Sequence, residues 1–94
     1  MNLKSAYCSS ILIIFLRNMG KSCNSITQVM KLADVQMKKL GIENNLSEST
    51  KYTTVKEMIE SGILISRTRK KGKNLTVSLS KKIQSYFIGE LNGD

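Results

Sequence analysis

The amino-acid sequence predicts a mainly α-helical fold with one small β-hairpin, in the order α-α-α-β-β-α. Three observations lead to this fold class. An apolar segment near the start indicates one helix, and two segments that follow Ser25 and Ser47 repeat their apolar residues at helical spacing. Two short β-prone runs then flank a turn that contains glycine, and a last helical repeat follows them. The length of 94 residues suits a single domain that covers residues 1–94.

The first two helices are predicted at residues 5–18 and 25–40. The first is apolar on every side through its middle, which indicates burial on more than one face. Ser25 and Gln28 have the spacing of a capping box, in which each side chain satisfies a free backbone N–H at the helix start. Gly41 is expected to end the second helix, because glycine readily adopts the left-handed conformation found there.

The third helix is predicted at residues 48–61, between Ser47 as the N-cap and Gly62 as the terminating glycine. Its apolar stripe is expected to consist of Tyr52, Val55, Met58 and Ile59. A projection of this helix puts a polar set opposite the stripe. The members of this set are Ser49, Thr50, Thr53, Lys56 and Glu57.

The hairpin, predicted over residues 63–79, carries the densest positive charge of the chain. Seven of the fifteen Lys and Arg residues lie between Arg67 and Lys82, and no acidic residue lies among them. Alternation along the first strand puts Arg67 and Arg69 on one side, while lysines crowd the turn. This cluster predicts contact with a polyanion, above all the phosphate backbone of DNA. A solvated basic loop that protects a sheet edge is the alternative interpretation.

The last helix is predicted at residues 81–92, after Ser80 as its cap. Its apolar stripe is Ile83, Phe87 and Leu91. Lys81 and Lys82 fall in the first turn, where positive charge opposes the helix dipole by about 0.3–1 kcal/mol each. We therefore expect a compensating group outside the helix.

The order of three helices, a basic hairpin and a last helix resembles the winged helix-turn-helix family of DNA-binding proteins. The resemblance covers nearly the whole chain, and it is closest in the apolar spacing from Tyr52 to Leu64 and in strand residues 75–77. The chain looks like small regulators of the PadR and MarR type, including those of archaea and their viruses. In PadR-like proteins a tyrosine opens the same stripe, and the connection between the second and third helices is long, as residues 41–45 are here. The chain lacks the proline often found in such connections.

The resemblance implies that helix 48–61 is a recognition helix in the major groove of double-stranded DNA, and that the hairpin reaches the flanking backbone or minor groove. The five polar residues opposite its stripe are then the expected base contacts. The expected backbone contacts are Arg67, Arg69, Lys70, Lys71, Lys73, Lys81 and Lys82. Because that helix face has no Arg, Asn or Gln, we expect modest direct readout. A solvated polar helix face is the alternative.

Many members of that family dimerise through their first and last helices, so the resemblance also implies a homodimer that binds two half-sites. The residues expected at the dimer interface are Ile11, Leu12, Phe15, Ile83, Phe87 and Leu91. The alternative is that both apolar stripes pack on the core of the monomer.

Composition excludes several classes of function. The chain has no histidine and only Cys8 and Cys23 as soft ligands, so neither the usual four-ligand zinc site nor His-based catalysis can be built. No enzymatic activity, cofactor, metal or small-molecule ligand is expected. Two cysteines indicate a reducing compartment, here the cytoplasm at the nucleoid, although a Cys8–Cys23 bridge or thiol oxidation stays open. The apolar run at 11–16 is shorter than the about 20 residues that cross a bilayer.

Together with a formal net charge of +8, these features predict a sequence-preferring double-stranded DNA-binding protein, a small transcriptional regulator that binds as a dimer. Two alternatives stay open. One is a winged-helix interaction subunit of a replication or transcription assembly, docked through its apolar first helix. The other is a membrane-surface protein that uses the same basic and apolar segments.

Overall fold

The protein was analysed as a computed structural model that describes residues 2–18, 21–68 and 75–91, with the backbone alone described for 88–91. Its order of elements confirms the predicted mainly helical fold with one antiparallel hairpin. The elements are α1 Leu3–Arg17, α2 Ile26–Lys39, α3 Glu48–Glu60, β1 Leu64–Thr68, β2 Leu75–Leu79 and α4 Lys81–Leu91.

Side-chain caps fix where the helices begin. Ser25 and Ser47 accept hydrogen bonds from the backbone N–H groups of Gln28 (3.0 Å) and Thr50 (3.2 Å), as predicted. The glutamine half of the expected capping box is shifted by one residue, because the Gln28 side chain accepts from the N–H of Asn24 instead of Ser25. α1 begins two residues earlier than predicted because Asn2 caps it.

Two glycines end α2 and α3 as predicted. Gly41 and Gly62 have φ values of 73° and 86°, in the left-handed region that favours glycine. In each case the residue after the glycine donates a backbone hydrogen bond of 3.0 Å to a methionine carbonyl in the last turn, Met37 or Met58. This pairing satisfies carbonyls that would otherwise lack partners.

The core lies between the three N-terminal helices and the inner face of the hairpin. Tyr7 and Ile11 from α1 pack there with Val29 from α2, Val55 from α3 and Val77 from β2. The Tyr7 hydroxyl donates a hydrogen bond of 3.2 Å to the carbonyl of Met30. Burial, with the negative charges of Asp34 and Glu48, raises the pKa of Tyr7 well above its ordinary value. This side chain therefore ties α1 to α2 as a neutral phenol.

A backbone bridge that no sequence pattern predicts joins the α1–α2 connection to the hairpin. Cys23 and Val77 exchange two backbone hydrogen bonds of 2.8 Å each. β2 therefore pairs with β1 along one edge and with the connection at one point along the other. A single pair leaves no alternating pattern in the sequence, so its position follows only from the tertiary fold.

The buried stripe of α3 is rotated from the predicted one. Tyr52, expected to be buried, is 46% exposed, whereas Lys51 and Thr54 are buried beside Val55 and Met58. Thr54 can be buried because its hydroxyl donates a 2.7 Å hydrogen bond to the carbonyl of Thr50. Lys51 can be buried because its ammonium group is paired with carboxylates.

Two residues expected at a dimer interface are covered by the chain itself. Ile11 and Phe15 lie in the core, with 0% and 4% of their surface exposed, so they offer nothing to a partner in this conformation. The interior of one chain accounts for their apolar character. Leu12, a third residue of the expected interface, is half-buried and packs against the edge of the core.

α4 is fixed to the body mainly at its first turn. Ile83 packs against the core, and the side chain of Gln84 donates a 2.8 Å hydrogen bond to the carbonyl of Leu79. Further along, Tyr86 is 62% exposed and lies edge-on to the half-buried ring of Phe87. The side chain of Leu91 lies outside the described residues. None of the helices in the described part of the chain is long and apolar enough to cross a membrane.

Candidate functional site

The exposed face of α3 presents hydroxyl, amino and phenol groups. Ser49, Thr53 and Lys56, three of the expected base contacts, are all exposed. The rotation of the stripe adds Tyr52 to this face. Sequence reasoning missed Tyr52 because an aromatic residue next to Val55 and Met58 was counted as core. The face therefore combines small donors and acceptors with one aromatic ring.

Thr50, also expected to contact bases, is partly engaged within the helix. Its side chain is half-buried, and its hydroxyl oxygen accepts a 2.9 Å hydrogen bond from the hydroxyl of Ser47. Ser47 in turn caps the N–H of Thr50. The hydroxyl of Thr50 thus supports the helix start more than it presents a free group to solvent.

Glu57, the acidic member of the expected set, is paired with α1. The ammonium group of Lys4 lies 3.0 Å from one oxygen of the Glu57 carboxylate, and both side chains are about half exposed. An exposed pair of this kind contributes about 0–1 kcal/mol to stability. Its larger effect is local, because Lys4 offsets the one acidic charge in the predicted set. Sequence reasoning missed Lys4, which lies in a different helix.

A charged network behind α3 fixes that helix against α2. The Lys51 ammonium group lies 3.2 Å from the Asp34 carboxylate and 3.4 Å from Glu48. Asn44 donates a 2.8 Å hydrogen bond to Oδ1 of the same Asp34 carboxylate, and its own side-chain oxygen accepts from the N–H of Leu46. The network thus joins α2, the α2–α3 connection and α3 at one point.

The electrostatics of Lys51 favour its charged form. Burial by itself lowers the pKa of Lys51, but the hydrogen bond and negative charge of Asp34, together with Glu48, raise that pKa above its ordinary value. Only 10% of the Lys51 side chain is exposed, and its charge is paired with carboxylates of the same chain. Lys51 therefore positions α3 and is not available to a ligand.

The cations predicted on the hairpin fall partly outside the described residues. Arg67 is exposed on β1, opposite Thr76 of β2, and Lys81 and Lys82 are exposed at the start of α4. The four remaining predicted contacts, Arg69, Lys70, Lys71 and Lys73, lie outside the described residues.

Two of the predicted cations meet in one groove with a third that was not predicted. We call this feature the hairpin groove; its described lining includes Lys21, Arg67, Thr76, Ser78, Lys81 and Gln84. No residue of α3 is among its described lining residues. Described members of the predicted contact set therefore lie on two separate surfaces, Ser49, Thr53 and Lys56 on the exposed face of α3 and Arg67 and Lys81 in the hairpin groove.

Neither cysteine has the setting of a reactive thiol. Cys8 and Cys23 are both free, and burial raises the pKa of each thiol. Because the thiolate is the reactive form, this shift disfavours oxidation near neutral pH. Within the described ranges, no three Cys, Asp or Glu residues lie close enough together to hold a metal ion.

No protein-family model matches the chain, and no curated protein is significantly similar to it. Its function must therefore be argued from the fold and from the chemistry of the two surfaces.

Proposed function

We propose that this chain is a double-stranded DNA-binding protein that acts as a small transcriptional regulator. In this proposal α3 enters the major groove, and the hairpin contacts the flanking backbone or minor groove. The main support for the proposal is the placement of α3. Its buried face is fixed to α2 through the ion pair of Lys51 with Asp34, while Tyr52, Thr53 and Lys56 are exposed on the opposite face.

The charge of the chain supports a nucleic-acid partner. The formal net charge is +8. Within the described residues, Arg67, Lys81 and Lys82 have no carboxylate within ion-pair distance. Unpaired cations on an exposed surface attract a polyanion and release its counterions on binding. We therefore assign most of the affinity to the hairpin and the start of α4.

The exposed face of α3 suits limited sequence reading. Lys56 can donate to the acceptor edge of guanine, and the methyl group of Thr53 can contact the methyl of thymine. The hydroxyl of Tyr52 can donate to a phosphate or to a base. Such a set discriminates less than bidentate Arg or Asn contacts do. Sequence preference would then depend also on DNA shape and on the spacing of two half-sites.

A homodimer would supply two copies of α3, one for each half-site of the DNA. We propose an interface built from α4 and the outer side of α1, where Leu12 is half-buried and Tyr86 is exposed. Ile83 and Phe87 are half-buried in the single chain, so part of each remains available to a partner. A twofold axis through such an interface would repeat α3 at a second site along the duplex.

The proposal predicts strong, salt-dependent binding to duplex DNA. If each protomer neutralises about five phosphates, a dimer should show a slope of about −9 in a plot of log K against log salt concentration. Fluorescence anisotropy with a labelled duplex measures this slope. A slope shallower than about −3 contradicts the proposal. The proposed setting is the cytoplasm at the nucleoid, where such DNA is found, and no enzymatic activity is proposed.

One observation favours a second function, that of a protein-interaction subunit in a replication or transcription assembly. Leu32, Val35 and Leu40 are large apolar side chains that α2 and its C-cap leave exposed. Light scattering of the purified chain distinguishes the two functions. A stable dimer favours the regulator, whereas a monomer that associates non-specifically favours a subunit whose apolar surface is covered by another protein.

A further inference from the structure

The hairpin groove has features that the assignment of Arg67 and Lys81 to flanking DNA does not explain. Its volume is about 560 Å³, and its lining comes from the α1–α2 connection, both strands and the start of α4. The described lining contains three cations and several hydroxyl groups, but no acidic or aromatic residue. A concave surface of this composition suits an anion with several oxygen acceptors.

The cation contributed by the α1–α2 connection is Lys21. The paired backbone hydrogen bonds between Cys23 and Val77 fix this connection alongside β2. The N–H of Lys21 donates a further 3.0 Å hydrogen bond to the carbonyl of Asn18. These bonds hold the backbone while the side chain of Lys21 stays exposed. Its place in the groove is thus set by the fold.

The hairpin supplies a guanidinium group and two hydroxyl groups side by side. In the antiparallel register, Arg67 is opposite Thr76, and Ile65 is opposite Ser78. These four residues share the outer face of the hairpin, because Leu64, Val77 and Leu79 on its other face are buried in the core. Arg67 can therefore donate to the same anion as the neighbouring hydroxyls.

The start of α4 adds the positive end of a helix to these cations. Ser80 accepts the N–H of Ile83, at 3.3 Å, and the groove extends along Lys81 and Gln84. Lys81 is destabilising next to the helix dipole unless an anion lies nearby. Within the described ranges, no carboxylate lies within ion-pair distance of Lys21, Arg67 or Lys81. An external anion would supply the missing compensation.

We infer that the hairpin groove is a phosphate-binding site separate from the exposed face of α3, with Lys21 as one of its ligands. The groove is open, and its described lining holds no aromatic side chain, which suits a phosphate without a recognised base. The phosphate could belong to a nucleic-acid backbone or to a small free anion. The first source rests on the function proposed above, in which the groove would anchor DNA independently of sequence.

Charge-matched variants test whether the bound phosphate belongs to a DNA backbone. Fluorescence anisotropy with a labelled duplex is measured over a range of salt concentrations for the wild type, Lys21→Ala and Lys31→Ala. Lys31 is exposed on α2 and lies outside the groove, so its variant removes the same charge elsewhere. We expect Lys21→Ala to flatten the salt slope by about 1 for each protomer bound, and Lys31→Ala to leave it unchanged.

Titration with pyrophosphate, followed by NMR of the backbone amides, tests the small anion as the source. Amide shifts at Ser22, Ser78 and Lys82 that disappear in Lys21→Ala support the phosphate-binding site. They do so even if the wild type fails to bind DNA, a result that would contradict only the proposed function. If Lys21→Ala flattens the salt slope of DNA binding but pyrophosphate causes no amide shifts, the groove binds the phosphates of the DNA backbone and not a small free anion. If DNA binds but Lys21→Ala behaves like Lys31→Ala and the amides do not respond, the inference is overturned.

Discussion

The two exposed surfaces of the molecule differ in how their charges are used. Around α3, Lys51 and Glu57 are paired with groups from neighbouring elements of the same chain. In the hairpin groove, three cations lie together without a carboxylate within ion-pair distance among the described residues. The charges of Lys51 and Glu57 are therefore paired within the chain, whereas the described cations of the hairpin groove are available to an external anion.

Because of this difference, we expect variants at the two surfaces to change different measured quantities. An ion pair inside the molecule fixes the position of a helix, so breaking it should change stability and the geometry of α3. Unpaired cations attract phosphates at any sequence, so removing them should change affinity and its salt dependence. Variants at each surface can therefore show whether positioning and attraction are separate in this protein.

The largest effect on stability is expected from Asp34→Ala. This change leaves the ammonium group of Lys51, with a side chain only 10% exposed, without its main partner. The free energy of unfolding should fall by about 1–3 kcal/mol, the cost of leaving a mostly buried polar group unsatisfied. Urea denaturation followed by circular dichroism measures the change.

Glu60→Ala provides the matched control for this variant, because it removes an exposed carboxylate from the end of α3. Its effect should stay within about 0.5 kcal/mol. The double variant Asp34→Ala/Lys51→Met should recover part of the lost stability, since it replaces an unpaired charge with an apolar side chain. If the two changes are simply additive, the ion pair does not anchor α3.

The largest effect on affinity is expected from Arg67→Ala/Lys81→Ala. If both side chains contact phosphates as proposed, their loss should flatten the salt slope by about 2 for each protomer bound, with similar weakening on every duplex. Stability should change by less than about 0.5 kcal/mol, because both side chains are exposed. Anisotropy with several unrelated duplexes measures both the slope and its uniformity.

Lys31→Ala/Lys39→Ala is the charge-matched control, since both lysines are exposed on α2. An equal loss from the two double variants would mean that net charge alone drives binding. A loss confined to particular sequences would mean that the groove region reads sequence, which would reverse the roles assigned to the two surfaces.

The elements of the fold were predictable where their signals are local. Ser25 and Ser47 cap the helices that follow them, and Gly41 and Gly62 end the preceding ones, because each signal acts over three or four residues. The alternation of β2 is equally local. The sequence alone therefore sufficed for the order of the elements.

The parts that could not be predicted depend on distant partners. A buried lysine is expected only if a carboxylate reaches it, and Asp34 lies in the preceding helix. The predicted buried stripe therefore contained Tyr52 and left out Lys51. The Cys23–Val77 bridge brings Lys21 to the hairpin without any sequence pattern. Apolar character likewise does not tell whether the same chain or a partner covers a residue.

A smaller effect, on sequence preference, is expected from Lys56→Ala. If Lys56 contacts a base edge from the exposed face of α3, its loss should reduce the discrimination between a preferred duplex and a scrambled one by about 1 kcal/mol. The preferred duplex comes from selection among random sequences with the wild type. Lys31→Ala should leave the discrimination unchanged. Uniform weakening on both duplexes would instead make Lys56 a phosphate contact, and the contrast between the surfaces would disappear.

The smallest effect on stability is expected from Lys4→Ala, which removes an exposed ion pair worth about 0–1 kcal/mol. DNA affinity should nevertheless fall, because the freed carboxylate of Glu57 would then repel nearby phosphates. The double variant Lys4→Ala/Glu57→Gln should restore it, as anisotropy can measure. Restoration would identify the role of Lys4 as shielding. If neither variant changes affinity, Glu57 lies away from the DNA, and contact must come from the end of α3 that carries Ser49 and Tyr52.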